Sequence, residues 1–247
     1  MTRRETGAMV QHFNPLVPNS AAAQLGEWIT SGHPVIGPIH QLTCERRVAS
    51  PTRANVLSAI ARDVELLAAV AGDIRRVSAI GPPTLDSSFV SLQIQMTSTR
   101  VLSLRWSVGS RLPVGAVMEL VLLGERGTIL LRERSAKDSQ ATSWELETST
   151  NDGEQRAETI ESADPAGGAI KRFAAAISEP DSAVRSAAST WEAATRTMEV
   201  VDAVELSLQK GRTIEVFQQQ LTEKLAFRGT MAALGCGLLL IAFVAAL

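Results

Sequence analysis

The residues with the clearest chemical potential lie in one apolar-looking run, NVLSAIARDVELLAAVAGD, at positions 55–73. Arg62 and Asp63 interrupt it with opposite charges, and Asn55, Ser58, Arg62 and Glu65 follow one another at three- and four-residue steps. On a helix those steps set all four on one face. A guanidinium binds anions and pairs with carboxylates, but it stays protonated at any working pH, so Arg62 is no general base. Asp63 projects from another side and reads as structural. The plain alternative for the whole stripe is a solvated polar face with an Arg62–Glu65 pair worth about 0.2–0.5 kcal/mol.

Other chemistry is sparse. His12, His33 and His40 cluster near the N-terminus, and His33 and His40 stand seven apart without a cysteine or acidic cluster beside them. No metal site is expected from that set. Cys44 and Cys236 are too isolated for a disulfide framework and suit a thiol-reducing compartment. There is no Gly-x-Gly-x-x-Gly turn, no Walker A loop, no His-Glu-x-x-His and no Gly-x-Ser-x-Gly elbow. The expectation is that this chain alone binds no cofactor, because backbone N–H groups need such a turn to reach a pyrophosphate. A formal net charge of −2 with dispersed Lys and Arg gives no footprint for nucleic acid.

Positioning these residues takes a set of elements that the hydrophobic pattern outlines. The chain is 45% hydrophobic and 20% charged, a globular composition. Helices are predicted over 20–32 up to Gly32, over 52–71 up to Gly72, over 168–178 before Pro180, and over 190–210. The last has a Ser189/Glu192 capping box, a Gly211 stop and an apolar stripe of Trp191, Ala194, Met198, Val201, Val204 and Leu208. Strands are predicted in VQHFNPL, GPIHQLTCERRV, DIRRVSAIG, SSFVSLQIQM, RVLSLRWSVGS and TIEVF. AVMELVLLGERGTILLRER reads as two more, turning at 124–127. In RVLSLRWSVGS, Leu102, Leu104, Trp106 and Val108 share one face. Residues 133–165 read mostly as polar surface loop, with WELE a candidate strand. Consecutive strands with few helices predict an α+β fold: an open, mixed but mostly antiparallel sheet covered on one face by helices.

The C-terminus adds one further element. Residues 229–247, GTMAALGCGLLLIAFVAAL, carry no charge, and Lys224 and Arg228 precede them. At about 1.5 Å per residue this run spans roughly 28 Å, close to the hydrocarbon thickness of a bilayer. A transmembrane helix is expected there, acting as a tail anchor with the main domain cytoplasmic.

Three segments, in order, resemble the second half of the glucose–fructose oxidoreductase/inositol dehydrogenase/MocA (Gfo/Idh/MocA) family. NPLVPNSAAAQLGEWITSGHPVIGPIHQL is similar to the last strand and helix of the family's nucleotide-binding domain and the lead into its sheet domain. NVLSAIARDVELLAAVAGD is similar to the helix that carries a His-Asp pair, and WEAATRTMEVVDAVELSLQKGRTIEV to the late helix and final strand. The resemblance spans residues 10–217 and is weakest over 133–165. It implies a nucleotide-domain remnant at 1–40 and the C-terminal α+β domain at 41–217, which the apolar run completes with a linker at 218–228 and the transmembrane helix at 229–247. It also implies NAD(P) wherever a complete nucleotide domain exists, and sugars, cyclitols or related hydroxy compounds as substrates.

Two departures shape the functional expectation. Only the end of the nucleotide domain is present, and the family's lysine motif would lie in the missing part. In the family's register Arg62 stands where the catalytic histidine belongs, and Ser58 where an aspartate is common. The first expectation is therefore a membrane-anchored, catalytically degenerate domain serving binding or assembly. The alternatives are a truncated NAD(P)-dependent oxidoreductase and a structural module that recruits partners to the membrane. Since family members often associate through the open sheet face, Leu102, Leu104, Trp106 and Val108 are candidates for contact with a second copy or a partner subunit. Packing of that face on the chain's own helices is the competing expectation.

Overall fold

The structure, a computed structural model, describes residues 14, 16–17, 20–82, 92–108, 112–135, 142–161, 167, 170–171, 173–174 and 191–216. The chain divides into two compact units, Met1–Val216 and Phe217–Leu247, and all described residues belong to the first. The expected linker at 218–228 and transmembrane helix at 229–247 lie outside the described residues. No helix among the described residues is long and apolar enough to cross a membrane.

The elements are α1 (Ser20–Ser31), β1 (Ile39–Arg46), α2 (Arg53–Ala71), β2 (Ile74–Ile80), β3 (Gln93–Ser98), β4 (Ser103–Val108), β5 (Ala116–Gly124), β6 (Gly127–Ser135), β7 (Thr142–Thr150), β8 (Gln155–Glu161), α3 (Trp191–Lys210) and β9 (Ile214–Glu215). The strands form one nine-stranded sheet in the order β8-β7-β6-β5-β1-β4-β3-β2-β9. β1 and β4 run parallel, and every other neighbouring pair is antiparallel. This is the open, mixed, mostly antiparallel sheet expected from the sequence. β1 begins at Ile39, just inside the segment assigned to the nucleotide-domain remnant.

Period-two alternation decides which face is buried. Leu42 and Cys44 on β1, Leu104 and Trp106 on β4, Met118, Leu120 and Leu122 on β5, and Ile129 and Leu131 on β6 all point to the helix side and are almost completely buried. The β5–β6 hairpin turns through Glu125 and Arg126 alone. Its flanking Gly127 admits no side chain, since a Cβ there would sit 2.2 Å from the Ser149 carbonyl oxygen. α2 starts at Thr52, whose side chain accepts from the Asn55 N–H, and stops at Gly72, whose N–H donates to Ala68 O at 2.9 Å.

Two sequence expectations are corrected. Residues 133–165 are mostly strand: they contain the end of β6 and the β7–β8 hairpin. Their polarity concealed it, because Trp144, Leu146 and Thr148 alternate inward while Ser143, Glu145, Glu147 and Ser149 occupy the uncovered face. On α3 the buried stripe runs through Thr197, Val200, Val201, Val204 and Ser207, and Met198 is 52% exposed. The helix is thus rotated from its apolar stripe toward two hydroxyls. Ser207 Oγ accepts from Ala79 N at 2.9 Å and donates to Arg212 O at 2.7 Å, pinning α3 to β2. The helix expected over 168–178 lies largely outside the described residues, as do the strand at VQHFNPL, the start of SSFVSLQIQM and the capping residue Ser189.

Candidate functional site

The helix side of β1 places Leu42, Cys44 and Arg46 in one inward row, and α2 lies over it with Asp63 pointing into the sheet. Asp63 is fully buried and Arg46 is 3% exposed. Arg46 Nε donates to Asp63 Oδ2 at 2.9 Å, and its Nη2 donates to Asp63 Oδ1 in a second, shorter bond. Trp106 Nε1 also donates to Asp63 Oδ2, at 2.9 Å. The remaining arm of the guanidinium, Nη1, donates to Glu133 Oε2 on β6 at 3.1 Å, while Nη2 also meets Met118 Sδ on β5. One cation therefore ties together two carboxylates from a helix and a strand.

The electrostatics follow from burial. Desolvation opposes the charge on Arg46, but Asp63, through its charge and its hydrogen bonds, holds the guanidinium more firmly protonated than usual. Glu133 has its carboxyl pKa raised, first by burial, against the pull of Arg46 and with a further push from Asp63; Arg62 also acts on it, lowering it. Burial, then Asp63, pushes the Cys44 thiol well up, so it is an inert core residue rather than a nucleophile. Trp144 faces Glu133 across the β6–β7 ladder, and its buried Nε1 has no hydrogen-bond partner among the described residues.

Of the sequence-selected residues, Ser58 and Arg62 face outward and are exposed, as is Asn55. Glu65, at the far end of the same stripe, is 4% exposed. Asn14 covers that end: its Nδ2 donates to Arg62 O at 2.7 Å and to Glu65 Oε2 at 3.0 Å, and its Oδ1 accepts from Leu16 N. The stripe is thus wet at Ser58 and Arg62 and closed at Glu65. Asp63 takes three donors on its two oxygens, which leaves it an anchor rather than a group free to exchange a proton with a substrate.

The proposed contact face is also corrected. Leu102 is 5% exposed and Leu104 and Trp106 are fully buried, all on the helix side, with Val108 half-buried beside them. These side chains are covered by the chain itself, and Trp106 bonds to Asp63, so they are not a surface for another subunit. Among the described residues, the face left uncovered by helices is the opposite one. It carries Thr43, Glu119, Val121, Leu123, Leu130 and a ladder in which Arg132 meets Glu119 at 2.8 Å and Glu147 at 3.4 Å.

Arg46, Glu133 and Asn14 were missed from sequence. Parity held the signal for the first two: Arg46 continues the inward row Leu42–Cys44, and Glu133 continues Ile129–Leu131. His12 lies outside the described residues, and the other two histidines serve local structure. His33 Nδ1 accepts from Val35 N at 3.2 Å and Ile36 N at 3.3 Å, and His40 lies 3.8 Å from Glu125. Among the described residues no cluster of His, Cys, Asp or Glu suits a metal ion. Nor does a glycine-rich turn open α1 or α2, which begin at Ser20 and after the Thr52 cap, so these residues do not form a dinucleotide cradle.

The helix-backed open sheet, with α2 laid across β1, defines a fold class: an α+β domain built on one mostly antiparallel sheet. No protein-family model and no curated protein matches the sequence. Solved structures do match in fold, and they include oxidoreductases of the Gfo/Idh/MocA family. A putative NADPH-dependent oxidoreductase from Desulfitobacterium hafniense has a TM-score of 0.67 at 16% identity, with 87% of this chain and 66% of that one covered. A 3-ketoreductase from Actinomadura kijaniata, solved with NADP, gives 0.62 at 15% identity, covering 83% and 63%. A transcriptional regulator from Kluyveromyces lactis gives 0.56 at 14%, covering 87% and 64%. The chain thus spans just under two thirds of the length of the first of these proteins.

Proposed function

We propose that this chain is the sheet-bearing part of an NAD(P)-dependent oxidoreductase acting on a sugar, a cyclitol or a related hydroxy compound. In this reading residues 1–40 complete a nucleotide-binding domain, 41–217 form the substrate-side and assembly domain, and 218–228 link it to a membrane anchor at 229–247, with the main domain cytoplasmic. The observation that carries it is the fold shared over 87% of the chain with an NADPH-dependent oxidoreductase. In this reading NAD(P) is held by polypeptide outside the described residues. What this chain offers the substrate is the exposed Ser58–Arg62 face, where a guanidinium binds an anionic or accepting group without giving up its proton. Calorimetric titration with NADPH tests the reading. The chain alone is expected not to bind, and the chain extended by its in-frame upstream sequence is expected to bind. An upstream sequence with no strand–glycine–helix unit, together with no binding in any extended form, removes the enzyme reading.

A second reading, a catalytically degenerate binding or assembly domain, is favoured by the geometry at α2. Arg62 replaces the proton-exchanging group, and Asp63 beside it is committed to Arg46 and Trp106. The same fold also serves a transcriptional regulator. In the nucleotide-completed protein, Arg62→His with Ser58→Asp separates the two. Hydride transfer to NADP that appears only in the double variant, across a panel of sugars and cyclitols, identifies the degenerate case; transfer already present with Arg62 identifies the enzyme.

A further inference from the structure

Among the described residues β8 is the edge strand at one end of the sheet, and every residue from Asn151 to Thr159 is exposed. An edge strand carries a row of unpaired N–H and C=O groups. The hairpin shows which residues own them. Thr150 N donates to Glu154 O at 2.9 Å, so that facing pair is hydrogen-bonded. The register continues with Ser149 opposite Gln155, Thr148 opposite Arg156 and Glu147 opposite Ala157. Hydrogen-bonded and non-bonded pairs alternate along an antiparallel ladder. Arg156, Glu158 and Ile160 therefore turn their backbone groups to β7, while Gln155, Ala157 and Thr159 turn theirs to the open edge.

The side chains add a charge pattern. Arg156 and Glu158 flank Ala157 on one face. Within the chain Arg156 lies 3.9 Å from Glu154, and those two side chains are 66% and 68% exposed. We propose that this edge pairs with the β8 edge of a second copy, antiparallel, on a two-fold axis at Ala157. That register sets Arg156 of each copy opposite Glu158 of the other, places Gln155 opposite Thr159, and puts the smallest side chain of the strand on the axis. An axis at Arg156 or at Glu158 would oppose like charges, and one at Thr159 would leave both ion pairs unmade. The Ala157 axis also uses the outward backbone groups, giving about six N–H···O=C bonds, two for each of three facing pairs. The two copies then share one continuous sheet. This edge is distinct from the uncovered sheet face, so the two surfaces are separable by mutation.

The experiment measures the mass of the full chain by light scattering in mild detergent at micromolar concentration. Ala157→Pro removes an outward N–H and costs no bond to β7, so an edge strand tolerates it. Arg156→Glu and Glu158→Arg each oppose like charges twice. Each of the three variants is expected to halve the mass, with association weakened roughly tenfold or more and far-UV dichroism unchanged. Mixing Arg156→Glu with Glu158→Arg is expected to restore the wild-type mass, because unlike charges again face each other at both positions; the double variant is expected to restore it as well. A wild-type chain of single-copy mass overturns the proposal, and so do single charge variants that keep the wild-type mass or a mixture that recovers nothing. Should Ala157→Pro fail to fold, the charge exchange decides alone.

Discussion

At the residue scale, the Arg46–Asp63–Glu133 chain is asymmetric, and the asymmetry is measurable. Asp63 takes two bonds from Arg46 and one from Trp106, all buried. Asp63→Ala leaves a buried guanidinium with Glu133 as its one carboxylate partner and an indole N–H unpaired, so a loss of about 3–5 kcal/mol in urea unfolding is expected. Glu133 holds a single bond from the same guanidinium, and burial raises its carboxyl pKa. Glu133→Gln keeps an acceptor and removes a desolvated charge, so its cost is expected to stay within about 1 kcal/mol. Equal losses in the two variants would contradict this ranking. His33 supplies the pH dependence. Burial lowers its pKa from the ordinary 6.5, with Glu158 opposing, and in the neutral ring Nδ1 accepts two backbone N–H groups. The unfolded chain therefore binds the proton more readily, and this contribution to stability is complete above 6.5 and is lost as pH falls through the lower folded value. His33→Asn keeps an accepting atom without the titration, so the difference between wild type and variant is expected to shrink as pH falls from 7 toward 5. A constant difference would show that the imidazole does not report on folding.

At the element scale, the β3–β4 hairpin carries strain at its tip and is held by contacts to two helices. Arg100 Nη1 donates to Thr30 Oγ1 of α1 at 2.7 Å and to Val70 O of α2 at 3.3 Å. Thr99 fills the space where Gly72 lacks a side chain; a Cβ there would lie 2.6 Å from Thr99 Oγ1, at a φ of 85°. Val101 is pushed into the left-handed region at φ 61°, though it is β-branched and 82% exposed. That conformation costs a β-branched residue about 1–2 kcal/mol. Val101→Asn is expected to raise the melting temperature, by about 1 kcal/mol of stability, and Gly72→Ala to lower it by at least as much; a neutral result at Val101 would mean the turn relaxes. Most elements were legible in the sequence because each announces itself locally, as α2 does with its Gly72 stop and β4 with its alternation. The β7–β8 hairpin was not, since one of its faces meets water and its residues are chosen for solubility. Met198 misled for the converse reason: an apolar residue on an exposed face looks like core until Ser207, bonded to β2, shows which way the helix turns.

At the scale of the whole molecule, a sheet covered on one side poses a question that helix packing leaves open. The same parity that buries Leu104 and Trp106 sends Val121, Leu123 and Leu130 to the uncovered face, where Leu123 is 45% exposed. Around them Arg132 bridges Glu119 and Glu147, and Arg134 lies 2.6 Å from Glu145. These charges pair with one another within the sheet, so this part of the face can meet another surface without stranding them. The candidate site shows why the sequence singled out α2 but not the charged residues gathered around Asp63. Ser58, Arg62 and Asp63 were visible as local departures from an apolar run, whereas Arg46 and Glu133 meet Asp63 only after three distant segments are brought together. If the uncovered face is where copies or partners associate, Val121→Lys with Leu123→Lys should abolish that association while leaving unfolding by urea close to wild type, because neither side chain belongs to the helix-side core. A drop in mass that adds to the one caused by Arg156→Glu would place the two contacts on different surfaces. An unchanged mass, with the double lysine variant folded, would leave the open face without a role in assembly and the β8 edge as the surface through which copies meet.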